Sequence, residues 1–159
     1  KQKFGVNKMN IEKCKAEIKR HEGEVLEIYE DSLGYKTLGV GHLCQPSDPE
    51  YDWEIGTPVS QEVVDMYYED DFNKHLAEAI HVFGPEKDFY ALPENIQHVL
   101  VNMCFNLGGT RLANFKKMLE ACKSKDWSKM AAEMEDSKWY EQVGRRGKEL
   151  RDSVINTRK

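Results

Sequence analysis

The chain has 159 residues, 40 % of them hydrophobic and 32 % charged, a balance that excludes a disordered chain and suffices to bury a core without metal or disulfide staples. No apolar run approaches the roughly 20 residues of a membrane-spanning helix, and a net charge of −5 argues against non-specific nucleic-acid binding. That charge is uneven, summing to +1 over residues 1–30, −11 over 31–110 and +5 over 111–159, so the basic C-terminal third is either a solvated face or a wall for an anionic polymer.

Residues 1–9 are polar and read as a loosely held extension; a start at Lys1 without a signal-peptide pattern reads as a processed form or a cut-out piece. From Asn10, a favoured N-cap type, Ile11, Cys14 and Ile18 repeat at helical spacing, and the helix should run to about Glu22, where Gly23 stops it. Val25 to Tyr29 and Tyr35 to Val40 read as paired strands around a turn at Asp31-Ser32-Leu33-Gly34. Cys44 to Pro58, with Pro46, Pro49 and Pro58, reads as an irregular loop. Ser60 then caps a long helix with the stripe Val64, Tyr68, Phe72, Leu76 and Ile80, ended by Gly84-Pro85.

Asn95 to Leu107 is apolar on most sides, as a helix at the centre of a bundle is, and Gly108-Gly109 stops it. Short helices are expected around 115–123, 127–136 and 144–156, separated by Lys123-Ser124-Lys125-Asp126 and by Trp139-Tyr140. The fold class is α+β, mainly helical: a small lobe with a β-hairpin and a larger helical lobe, joined by the long helix, with a cleft between. As one domain over 1–159, the hairpin lobe and connecting helix take about 10–80, and the helical lobe, packed with the first helix, about 81–159. Cys14, Cys44, Cys104 and Cys122 form no CxxC and no Cys/His pair at ligand spacing, so reduced thiols, no metal and no cofactor are expected.

Glu22, Asp31 and Thr37 fall on a helix end, a turn and a returning strand, which a short hairpin can bring together. A glycosidic bond needs a protonated carboxyl for the leaving oxygen and a carboxylate near the anomeric carbon. Partial burial at a helix end favours a neutral carboxyl at Glu22, whereas an exposed turn keeps Asp31 ionised. Thr37 could hold a water against Asp31, which points to inversion, with carboxyls roughly 6.5–9.5 Å apart. With 28 acidic residues, spacing alone equally fits a solvated helix end and a turn-forming aspartate.

The wording of the stretch adds to this. His21-Glu22-Gly23 followed by Tyr29-Glu30-Asp31-Ser32-Leu33-Gly34-Tyr35-Lys36-Thr37-Leu38-Gly39-Val40-Gly41-His42-Leu43 closely resembles the phage-type lysozymes, which have a Glu, eight residues, an Asp, five residues and a Thr before a Gly-x-Gly-His. The resemblance returns at Val101 to Gly108 and at Ser137-Lys138-Trp139-Tyr140 with Arg145-Arg146, and so covers nearly the whole chain from Met9.

What it implies is a lysozyme-like fold and a monomeric muramidase that cuts the β-1,4 bond between N-acetylmuramic acid and N-acetylglucosamine of bacterial peptidoglycan, with no nucleic-acid or membrane partner. It would act on the wall either after secretion or after release from an infected host cytoplasm. Glu22 would be the acid, Asp31 the carboxylate that activates water and Thr37 its partner. Leu43 and Phe105 match cleft-lining positions, although Phe105 also reads as core; Arg146 matches an arginine facing the acid, and His42 should approach Asp71. The 44–58 loop departs from the family pattern, and Met118 and Glu133 stand where its best-known member has glycan-holding polar groups. A non-catalytic glycan-binding module and a lysozyme domain of a phage tail component are the competing functions.

Overall fold

The apolar spacing after Asn10 folds as helix α1 (Ile11–Glu22), and the Asn10 side-chain oxygen accepts from the Lys13 amide at 3.0 Å. The computed structural model describes residues 9–158; the polar extension lies outside them except for Met9, which is buried rather than loosely held. The chain divides into two compact units, one of Lys15–Lys74 and one of Lys1–Cys14 with His75–Lys159. It passes from one to the other within α1 and again within α2 (Gln61–Phe83), which opens on Ser60, whose hydroxyl accepts from the Val63 amide at 3.2 Å.

The smaller unit carries an antiparallel sheet in the order β1 (Val25–Glu30), β2 (Lys36–Gly39), β3 (His42–Leu43). Tyr29 pairs with Thr37, and Thr37 pairs on its other side with Leu43. The third strand is too short to announce itself by alternation. Gly39 (φ +60°) brings the sheet close to α2, since a Cβ there would meet Val64 Cγ1 at 2.9 Å. The segment expected as an irregular loop is tied down throughout. It contains a 3-10 turn (Pro49–Asp52), its carbonyls at Tyr51 and Trp53 accept from Lys36 Nζ at 3.1 and 2.7 Å, and Gly56 to Val59 runs along the outer edge of β1. That return covers an edge that would otherwise expose unpaired backbone.

In the larger unit α4 (Glu94–Leu107) is buried along most of its length, as its all-round apolarity predicts. It packs on α5 (Gly109–Ala113) and α9 (Arg145–Ile155), while α7 (Trp127–Glu135) packs on α6 (Lys116–Lys123) and α9. Trp139-Tyr140 is not a separator. Ser137 accepts from the Tyr140 amide and opens α8 (Lys138–Val143), and Trp139 donates its indole N–H to Asn106 Oδ1 at 2.8 Å. The short α3 (Glu86–Tyr90) and α5 also go beyond the helices expected from spacing. The fold is α+β and mainly helical. Among the described residues no helix is long and apolar enough to cross a membrane.

Candidate active site

The turn after β1 is closed by its own aspartate. Asp31 Oδ1 accepts from the amides of Leu33 and Tyr35, both at 2.9 Å, and the Asp31 amide donates to the Tyr35 carbonyl at 2.9 Å. Such side-chain-to-backbone bonding is why aspartate favours turns, and here it leaves the carboxylate with one fixed orientation. The same Tyr35 carbonyl accepts from the buried Thr37 hydroxyl at 2.9 Å. One peptide unit therefore orients both side chains. With its hydrogen given to Tyr35, Thr37 Oγ1 faces any further partner as an acceptor.

Glu22 is the last residue of α1, and Gly23, at φ +78°, turns the chain out of the helix. The carboxylate lies against the hairpin's second bend: a Cβ at Gly41, which has φ +65°, would stand 2.6 Å from Glu22 Oε1. Tyr29 is within electrostatic reach of both carboxylates. Its phenol pKa is raised, first by burial and then by the negative charges of Glu22 and Asp31. The structure thus gathers Glu22, Asp31 and Thr37 in the hairpin unit, around the Tyr29–Thr37 register pair. Tyr29, Tyr35 and Gly41 are the site residues that sequence reasoning missed, although their positions within the glycine-marked hairpin were the available signal.

His42 braces this hairpin from β3. Its Nδ1 is 2.7 Å from Asp71 Oδ2 and its Nε2 2.8 Å from Asp48 Oδ2, so the expected pairing with Asp71 is present and a second carboxylate adds to it. Both ring nitrogens can donate only in the imidazolium form. Burial lowers the histidine's pKa, but the hydrogen bonds and charges of Asp71 and Asp48 outweigh it and the net shift is upward. The ring stacks on Tyr67 at 4.0 Å, and the Tyr67 hydroxyl donates to the buried Glu50.

The remaining candidates divide between the units. Leu43, on β3, keeps 45 % of its surface exposed. Phe105, in the helical unit, is only 8 % exposed and meets the His75 ring edge-on at 5.1 Å, so its core character is evident. Arg146 is buried in that unit with its Nε donating to Asn102 Oδ1 at 2.9 Å. Met118 and Glu133 border a cavity of about 380 Å³ together with Phe115 and Ser137.

The family model for phage lysozymes matches residues 19–159. A Dictyostelium discoideum protein named "Probable T4-type lysozyme 2" is 28 % identical over 86 % of this chain and 89 % of its own length. A second protein of that organism, named "Probable T4-type lysozyme 1", is 28 % identical over 92 % of this chain and 95 % of its own length. The pre-baseplate central spike protein of Enterobacteria phage T4 is 28 % identical over 87 % of this chain, which corresponds to 26 % of the spike protein. The chain belongs to the phage lysozyme family, glycoside hydrolases that act on peptidoglycan.

Proposed function

We propose that this lysozyme cleaves the β-1,4 bond between N-acetylmuramic acid and N-acetylglucosamine with inversion, leading to bacterial lysis. Glu22 gives its proton to the glycosidic oxygen, the C–O bond breaks, and positive charge develops at the anomeric carbon. A water attacks from the opposite face. One of its hydrogens points to Asp31 and the other to Thr37 Oγ1, which leaves an oxygen lone pair for the anomeric carbon. Asp31 takes the proton through Oδ2, since Oδ1 accepts the two turn amides. Leu43, exposed on β3, lines the glycan, and His42 supports the hairpin without touching substrate.

The observation that carries the reading is the donation of the Thr37 hydroxyl to the Tyr35 carbonyl. A threonine held as an acceptor has an obvious use only if a water stands between it and Asp31. Inversion yields an α-anomeric reducing end, whereas a nucleophilic Asp31 would pass through a covalent intermediate and return the β-anomer. Proton NMR of fresh peptidoglycan digests, recorded before mutarotation, should show α product; predominantly β product overturns the role of Asp31. A lysozyme domain within a phage tail assembly is a second reading, motivated by the likeness to the central spike protein. It rests on the same chemistry.

A further inference from the structure

His75 and Glu78 lie one turn apart on α2, and Cys104 reaches the same point from α4. His75 Nδ1 stands 2.7 Å from Glu78 Oε1, and Cys104 Sγ stands 3.7 Å from that oxygen. All three donor atoms lie within 4.8 Å of one another. We propose that this imidazole, carboxylate and thiolate bind one zinc ion, with a fourth position open to solvent.

The donor set selects the metal. Thiolate and imidazole suit zinc, whereas magnesium and calcium take oxygen ligands. Zinc bond lengths of about 2.0–2.3 Å put tetrahedral ligand atoms roughly 3.3–3.7 Å apart. The sulfur and oxygen already stand at that separation, and the nitrogen and oxygen reach it by a small side-chain rotation. A His–Glu pair at this spacing is common on helices and needs no metal. What it does not require is a buried thiol directed at the same carboxylate oxygen.

The cluster is also held in place. A Cβ at Gly109 would come within 3.2 Å of Glu78 Cβ, so bare backbone of α5 packs along the glutamate stem. The His75 ring is fixed edge-on against Phe105. Cys104 has no exposed surface, while the side chains of His75 and Glu78 are 18 % and 34 % exposed, which puts the open position on their side. A cavity of about 600 Å³ bordered by Glu78, His81 and Gly109 lies beside the glutamate. Burial, and then the charge of Glu78, push the Cys104 thiol up to about 12, and a bound cation reverses that preference. On binding, the thiol's proton leaves to solvent, Sγ bonds zinc as thiolate, His75 binds through the Nδ1 lone pair with its proton on Nε2, and Glu78 binds as carboxylate. Nothing is oxidised or reduced.

The proposal does not rest on the glycoside hydrolase reading and is tested on the metal-free full chain. Cobalt(II), added as a spectroscopic stand-in, should give a thiolate-to-metal absorption in the near ultraviolet at one equivalent, and zinc should abolish it. The substitution Cys104→Ser should remove the band, and His75→Gln should weaken zinc binding at least about tenfold, since even outer-shell changes cost about that much. Absence of the band in folded wild type, or its survival in Cys104→Ser, overturns the site, because Cys14, Cys44 and Cys122 are also free thiols. Should Cys104→Ser not fold, the partly exposed His75→Gln decides alone, and unchanged zinc affinity overturns the proposal.

Discussion

The hairpin unit and the helical unit combine apolar burial and buried polar bonding in different proportions. Around α4 the helical unit buries Ile96, Val99, Leu100, Val101 and Met103 almost completely, and although it also buries Gln97, Asn102 and Arg146, most of its stability comes from apolar area and close packing. In the hairpin unit the apolar core of Ile18, Ile28, Leu38, Val40 and Phe72 is joined by buried Thr37, His42 and Glu50. Apolar burial is strong but does not care about direction. Hydrogen bonds are weaker in net terms but fix orientation, and orientation is what a catalytic turn needs. The energy of the molecule and the geometry of its chemistry are therefore separable by mutation.

The largest expected effect is at Glu22. Replacing it by Gln removes the proton donor, so lysis of a bacterial wall suspension should fall on the order of 10²- to 10⁴-fold. Thermal unfolding should hardly change, because an isosteric amide at a helix end disturbs no core. A variant that kept most of the wild-type rate would remove Glu22 from the acid role.

The opposite case is Leu100→Ala in α4, where deletion of a fully buried side chain should cost about 2–5 kcal/mol. Urea unfolding measures the loss. Specific activity at a temperature where the variant is fully folded should match wild type; a parallel fall in activity would mean that packing in the helical unit governs the chemistry as well.

His42→Asn should cost about 2 kcal/mol, below the usual cost of breaking a buried pair because Asp48 and Asp71 retain some contact with water. Its cost should depend on pH. The folded histidine's pKa is raised, so its stabilisation is fully present below the unfolded value of about 6.5 and is lost as pH rises through the folded value. Asp48 runs the other way. Burial raises its pKa, but bonds from the Gln45 amide and His42 bring the net shift down, so its share is present above about 3.9 and lost as pH falls through the folded value. Urea midpoints of wild type and variant should differ most between about pH 4 and 6.5. A difference constant from pH 5 to 9 would show that the ring acts by packing alone.

The same division explains what could be read in the sequence. Asp31 to Gly34, Gly23 after Glu22, and the capping by Asn10 and Ser60 are local devices, and each is present in the structure as its residue type suggests. The all-apolar run of α4 is equally direct. Long-range polar contacts leave no such trace. Nothing in the order of residues says that Lys36 holds the carbonyls of Tyr51 and Trp53, or that Asp48 is the second partner of His42. Trp139 carries no sign of its bond to Asn106, and its helix is visible only through Ser137. Likewise His75 and Glu78 are ordinary helix neighbours until Cys104, on another helix, is placed beside them.

The smallest expected effect overall, and the closest test of how the hairpin holds its acid, is at Gly41. An alanine there must adopt φ near +65°, which costs roughly 1–2 kcal/mol for an L residue. Its Cβ would also stand 2.6 Å from Glu22 Oε1. That oxygen ends a flexible side chain, so the carboxylate gives way instead of the backbone. Gly56→Ala supplies the control, since Gly56 has φ +90° but nothing within 4 Å of its added Cβ. Both variants should lose about 1 kcal/mol of stability, through strain alone at Gly56. Only Gly41→Ala should also lose activity, by about tenfold, because a catalytic group moved by a fraction of its reach no longer meets the bond it must protonate. Equal activity in the two variants, measured on folded protein, would show that Glu22 finds its working position without the bare backbone beside it.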